Sequence, residues 1–154
     1  MDFKAILVAT DFSQCAGAAF EVAKNLGRCF GAKLVILHVI QQSILARVAE
    51  HLKVGPDSLL PEFREQAQRQ LDAFLEDHGR GGLEVDSMVT VGIPFQEIAV
   101  ISRDLAVDLI VIGGFGRSGR GPIEEVFFGS TAEKVVRLLP CPVLCDPLAG
   151  EPRG

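Results

Sequence analysis

The residues whose types and spacing can do chemistry are concentrated between positions 110 and 131, in IVIGGFGRSGRGPIEEVFFGST. An apolar run, Leu109 to Ile112, ends in Gly113-Gly114, and Gly116, Gly119 and Gly121 follow. Val126-Phe127-Phe128 then leads into Gly129-Ser130-Thr131, which opens a helical segment, AEKVVRLL. Glycine lets backbone turn tightly and approach a ligand closely. A helix N-terminus offers unpaired N–H groups and the positive end of a dipole, and Ser130 and Thr131 add hydroxyls. This is the chemistry of a phosphate pocket. The same glycines also serve a plain tight connection between a strand and a helix.

Other reactive types are read more plainly. No cysteine pair forms CxxC, and no His or Cys pair has zinc spacing. Cys15 and Cys29 fall in an apolar helical pattern and are expected in the core. Cys141 and Cys145 flank the last strand, where nothing nearby lowers a thiol pKa. His38, at a strand end, is expected to be a packed or half-exposed histidine with a structural hydrogen bond.

The elements that must position these residues alternate. Residues 4–9 read as a strand. Ser13 is a candidate N-cap for a helix whose Cys15, Ala18, Ala19, Val22, Ala23 and Leu26 share one face, with Gly27 and Gly31 marking its end. Residues 33–39 are a second strand. Residues 40–57 are ambiguous, a loop with a short helix, broken by Gly55-Pro56. A helix runs from Ser58 to Gly79. Residues 83–91 form a third strand, expected at an edge. A third helix follows Pro94, then a fourth strand at 108–113, the glycine loop, a fourth helix and a short last strand, VLCD. Strands separated by helices of this length indicate a parallel sheet with helices on both faces. Such sheets bind ligands at the carboxyl ends of their strands.

Bulk properties bound the function. The chain has 154 residues, 48% of them hydrophobic, as one domain over 1–147 with a flexible tail over 148–154. A formal net charge of −5 and no basic run argue against nucleic-acid binding. No apolar run approaches a membrane span, and the N-terminus has no secretory signature. A cytoplasmic protein is expected.

The opening ILVATDFS, the strand end His38-Val39, Gly92-x-Pro94, and the close STAEKVVRLLPCPVLCD together resemble the universal stress protein family over nearly the whole chain. The resemblance implies an open five-stranded parallel sheet of order 3-2-1-4-5, the adenine nucleotide alpha hydrolase-like arrangement. It also implies that Asp11 lies beside Gly113 and Gly116, and that ATP or AMP is the ligand, with Mg2+ as an accompanying ion. Asp11 and the Val39 backbone would face adenine and ribose. Gly113, Gly116, Gly129, Ser130 and Thr131 would hold ribose and phosphates. A homodimer is implied as well, in keeping with the apolar last strand. A carboxylate such as Asp11 can accept two hydrogen bonds from a ribose diol, or it can cap the turn before the first helix. Arg117 and Arg120 can neutralise phosphate or stand as solvated loop charges. Glu124 and Glu125 beside phosphate are unfavourable unless they point away or hold a metal.

The family form is Gly-x2-Gly-x9-Gly-Ser/Thr. Here twelve residues separate Gly116 from Gly129, three more than that form has. The expected function is adenine-nucleotide binding in stress response with little or no turnover, at most slow hydrolysis or self-phosphorylation on Ser118, Ser130 or Thr131. The alternative is a dimeric interaction protein of the same fold that binds no nucleotide, which the longer loop favours; Phe127 and Phe128 would then be core or dimer contacts. A dinucleotide oxidoreductase, from Gly114-x-Gly116-x-x-Gly119 with Asp146, lacks room for a substrate domain. A phosphoacceptor receiver would need paired acids after the first strand.

Overall fold

A computed structural model describes residues 3–113 and 139–146. The elements are β1 (Ala5–Ala9), α1 (Gln14–Phe30), β2 (Lys33–Gln41), α2 (Gln42–Leu52), α3 (Pro56–His78), β3 (Val85–Gly92), α4 (Pro94–Asp104), β4 (Leu109–Gly113) and β5 (Val143–Asp146). The strands form one parallel sheet of order β3-β2-β1-β4-β5. β1 lies at its centre, with Val8 registered against Ile36 on one side and Val111 on the other. β3 is an edge, as expected. The expected fourth helix and the tail lie outside the described residues.

Alternating side chains build two cores. Ile6, Val8, Leu34, Ile36 and Val111 pack against Ala19, Phe20 and Ala23 of α1 and Leu71, Phe74 and Leu75 of α3. Leu7, Leu37, Val39 and Ile110 pack against Phe95 and Ile98 of α4 on the other face. Strands buried on both faces read as continuous apolar runs for this reason.

Three expectations are corrected. The β2–β3 connection carries two helices, so strict alternation fails there. α2 was hard to read because it follows β2 without a break and Gln41 makes no side-chain cap to mark its start. α1 also runs past Gly27 and stops at Gly31, whose left-handed φ of 64° terminates it. Gly27 is instead a packing position. A Cβ there would come within 3.1 Å of Leu83. The longer helix carries Cys29 out to an exposed position, not into the core.

α1 holds the end of α3 through a buried cation. Lys24 is 4% exposed. Its Nζ donates to the carbonyls of His78 (2.5 Å) and Gly79 (3.1 Å), where α3 ends, and pairs with Glu21 at 2.8 Å. These carbonyls are the unsatisfied acceptors of a helix C-terminus. Burial of the Glu21 carboxyl opposes ionisation, but hydrogen bonds from Lys24 and His78 outweigh it and hold its pKa below the ordinary 4.5. Stability from Glu21 is therefore fully present above 4.5 and is lost as pH falls through the lower, folded value. Lys24→Met should cost about 1–3 kcal/mol, because it leaves part-buried carbonyls unpaired, and should flatten the acid side of the stability profile. Urea unfolding followed by circular dichroism at neutral pH and across the acid range checks both effects.

Candidate functional site

The site begins with the turn between β1 and α1. Thr10 Oγ1 accepts from the Phe12 N–H at 3.0 Å, and Asp11 Oδ1 accepts from the Ser13 N–H at 3.0 Å. Ser13 Oγ then accepts from the Ala16 N–H at 3.1 Å, so Ser13 is the N-cap. Phe12 sits in the left-handed region with φ of 67°, a conformation costly for a bulky side chain. Its ring offsets this by stacking on His38, with centroids 4.4 Å apart, and by packing edge-on to Phe74 at 6.0 Å. His38 Nδ1–H in turn donates to the Thr10 carbonyl at 2.9 Å. His38 is the half-buried, structurally bonded histidine its position predicts.

The turn-capping reading of Asp11 is seen directly. One carboxylate oxygen makes the local turn. The other, Oδ2, is buried and has no hydrogen-bond partner among the described residues. A buried, unpaired carboxylate oxygen is costly, and Asp11 lines a cleft of about 430 Å3. That volume falls in the range of small-molecule sites.

The cleft lies at the carboxyl ends of β1 and β2. Ala9, Leu37 and Val39 make its floor, and Thr10, Asp11 and His38 one side. Phe63, Gln66, Ala67 and Gln70 of α3 form the opposite wall, with Ile44 of α2 and Pro94 at the rim. β1 pairs with β2 as far as Ala9–Leu37, and the Thr10 N–H still reaches the Leu37 carbonyl at 2.9 Å. Main-chain groups two residues apart point to the same side of a strand. The Val39 N–H and C=O therefore face the space where β1 has ended. Among the described residues, Asp11 is the sole formally charged side chain on the cleft, and neither Lys nor Arg lines it.

Of the seven site residues predicted from sequence, Asp11 and Val39 are brought together on this cleft. Gly113 ends β4 nearby but is not part of its lining. A Cβ on Gly113 would lie 2.9 Å from the Cys15 carbonyl carbon and oxygen. Its missing side chain admits the first turn of α1 against the strand end. Gly116, Gly129, Ser130 and Thr131 lie outside the described residues, as do Arg117, Arg120, Glu124, Glu125, Phe127 and Phe128. The α3 wall was not foreseen. Its signal was the spacing Phe63, Gln66, Ala67, Gln70, one helical face that turns polar above the core. Burial, then the nearby Asp108 carboxylate, pushes the Cys141 thiol pKa up, which disfavours a reactive thiolate there.

A family model described as the universal stress protein family matches residues 2–147. Universal stress protein MJ0577 of Methanocaldococcus jannaschii is 29% identical, over 92% of this chain and 93% of its own. The solved structure of hypothetical protein MJ0577 matches with a TM-score of 0.75 at 29% identity, over 95% of this chain and 96% of that one. A Thermus aquaticus universal stress protein, from the 3' region of a QAH/OAS sulfhydrylase, is 32% identical over 92% of this chain and 97% of its own. The universal stress protein of Archaeoglobus fulgidus in complex with dAMP shares the fold, with a TM-score of 0.60 at 20% identity over 94% and 98% of the two chains.

Gly113 supplies a test of the packing assignment. Gly113→Ala should lower stability by about 1–3 kcal/mol, the usual cost of overpacking against backbone, measured as a lower urea midpoint. An unchanged midpoint would show that the start of α1 does not depend on the missing Cβ.

Proposed function

This chain belongs to the universal stress protein family, and we propose that it binds an adenine nucleotide, ATP or AMP, in the cleft at the ends of β1 and β2, as a binding module of stress response with little or no turnover. The observation that carries this is that Asp11, whose buried Oδ2 has no hydrogen-bond partner among the described residues, lines a cleft with apolar residues Ala9, Leu37 and Val39. A ribose hydroxyl would donate to that oxygen. The flat base would lie on Val39 and Phe63 and meet the outward Val39 peptide groups. A cleft with no cation among its described lining suits the neutral nucleoside part of the ligand. The phosphates would extend beyond it, towards the segment carrying Gly116, Gly129, Ser130 and Thr131. Among the described residues no group of three or more His, Cys, Asp or Glu can hold a metal ion, so Mg2+ would arrive on the phosphates. The dAMP complex of the Archaeoglobus fulgidus protein supports a nucleotide as ligand of the fold. One carboxylate on the cleft, beside a His38 whose Nδ1–H is held by the Thr10 carbonyl and whose ring is stacked on Phe12, supports binding over hydrolysis.

The second reading, an interaction protein without nucleotide, draws on two observations. The glycine segment has three more residues than the family spacing, and the glycine at 113 has a packing reason of its own. In either reading the chain would be a homodimer joined at β5, a short edge strand whose Val143 and Leu144 are half-buried. Among the described residues no helix is long and apolar enough to cross a membrane.

Asp11→Asn separates the two roles of the carboxylate. Asn makes the same local turn through its Oδ1, so the melting temperature should stay at the wild-type value. Replacing the unpartnered Oδ2 by an N–H2 donor should weaken ATP or AMP binding about tenfold to a hundredfold, equivalent to roughly 1–3 kcal/mol, read by isothermal titration calorimetry. Wild-type protein that neither co-purifies with nor binds a nucleotide would favour the interaction protein. Sedimentation equilibrium at micromolar concentration checks the dimer, and a species of monomer mass alone would remove it.

A further inference from the structure

Asp11 is bracketed by one histidine. His38 stands near the carboxyl end of β2, beside the turn that joins β1 to α1, and touches that turn at two points. Its Nδ1–H donates to the Thr10 carbonyl at 2.9 Å, and its ring lies on the Phe12 ring with centroids 4.4 Å apart and planes 28° apart. Asp11 is the residue between these two contacts. The turn is also tied within itself: the Phe12 N–H donates to Thr10 Oγ1 and the Ser13 N–H to Asp11 Oδ1, both at 3.0 Å. Phe12 has a φ of 67°. Among the described residues the other non-glycine positive φ values belong to Lys53 and Ala106, which follow the ends of α2 and α4. A left-handed residue is a common helix terminator there. Phe12 precedes a helix and has no such reason. A bulky residue keeps that conformation only where its surroundings over-determine it.

We infer that His38 is a positioning residue for the Asp11 carboxylate. It holds residue 10 by the main chain and residue 12 by the side chain, and so keeps the left-handed turn closed with Asp11 on the cleft. The inference rests on the nucleotide reading above for its ligand, and on the turn alone for its geometry. Imidazole joins a flat face and an N–H donor close to the backbone in one side chain. Phenylalanine would keep the face and lose the donor. Asparagine would keep a donor near the position of Nδ1 and lose the face. Released from either contact, Phe12 is free to return to an ordinary negative φ. The Ser13 hydrogen bond to Oδ1 then opens, and the carboxylate points elsewhere for part of the time. Affinity for a ligand that uses Oδ2 falls with the fraction of molecules still correctly arranged. His38 itself lines the cleft, so a direct contact with the ligand is the rival explanation.

ATP binding to the full chain is measured by isothermal titration calorimetry for wild type, His38→Phe and His38→Asn, each with Asp11 and with Asp11→Ala. With Asp11 present, either His38 change should weaken binding about tenfold. In the Asp11→Ala background the same changes should alter affinity by less than about twofold, because no carboxylate is left to position. Equal losses in both backgrounds show that His38 touches the ligand itself and overturn the inference. Unchanged affinity with a lower melting temperature shows a purely structural histidine and overturns it too. Phe12→Gly removes the stack from the other side. Glycine adopts the left-handed φ without strain, so this variant serves in place of a His38 variant that does not fold, with the same expected loss. Amide hydrogen exchange of the free protein, followed by NMR, reads the turn without ligand. The Ser13 amide should exchange at least about tenfold faster in both His38 variants, while the amides of β1 keep wild-type protection. Wild type that binds no ATP removes the nucleotide reading by itself. In that case, or where Asp11→Ala leaves no measurable binding, the exchange decides the positioning: unchanged Ser13 protection in folded variants overturns it.

Discussion

The contact on which the arrangement depends is a backbone-to-backbone one. The first turn of α1 lies against the end of β4, where the glycine at 113 has no Cβ to keep the carbonyl of Cys15 away. This close approach fixes where α1 can start. The β1–α1 turn has three residues after Thr10 in which to reach that start. It does so through a left-handed Phe12 and two side-chain-to-backbone hydrogen bonds. The position of the Asp11 carboxylate over the cleft follows from this economy of chain.

The strained turn is supported by side chains of β2 and α3. Phe12 rests on His38 of β2 and touches Phe74 of α3, which itself packs on Phe20 of α1. Lys24 then ties the far end of α3 back to α1 through the carbonyls of residues 78 and 79. One wall and one side of the cleft are thus clamped to the same helix. The α3 wall is held by packing in the core, and the carboxylate by the β1–α1 turn.

Much of this was legible in the sequence. The apolar runs at 4–9, 33–39 and 109–113 encode strands buried on both faces. The 3.6-residue spacing from Cys15 to Leu26 encodes α1, and Ser13 encodes its cap. The strand order came from the family resemblance, since nothing in a single strand states its neighbour. Asp11 was legible as the residue just past the first strand, whereas Val39 came from the family resemblance, and β2 runs on beyond it to Gln41. Less legible were the glycines at 27 and 113, which look like punctuation or ligand-binding positions but serve close packing. A glycine lacking its Cβ for a neighbouring backbone has the same letter as one lacking it for a phosphate. Gln66 and Gln70 were hidden because a polar helix position reads as solvent-facing unless the opposite wall is known.

The modest anchoring of α2 has a kinetic consequence. That helix buries two side chains, Leu45 and Ala49, while Ile44 overhangs the cleft and Leu52 is 54% exposed. Elements with so little buried apolar surface open locally at a fraction of the free energy of global unfolding. The backbone amides of α2 would exchange with solvent long before those of β1 or the core of α3. The rim of the cleft can therefore part while its floor, its carboxylate and its α3 wall remain assembled. Residence time of an occupant would be governed by this partial opening, and the sheet itself need never yield.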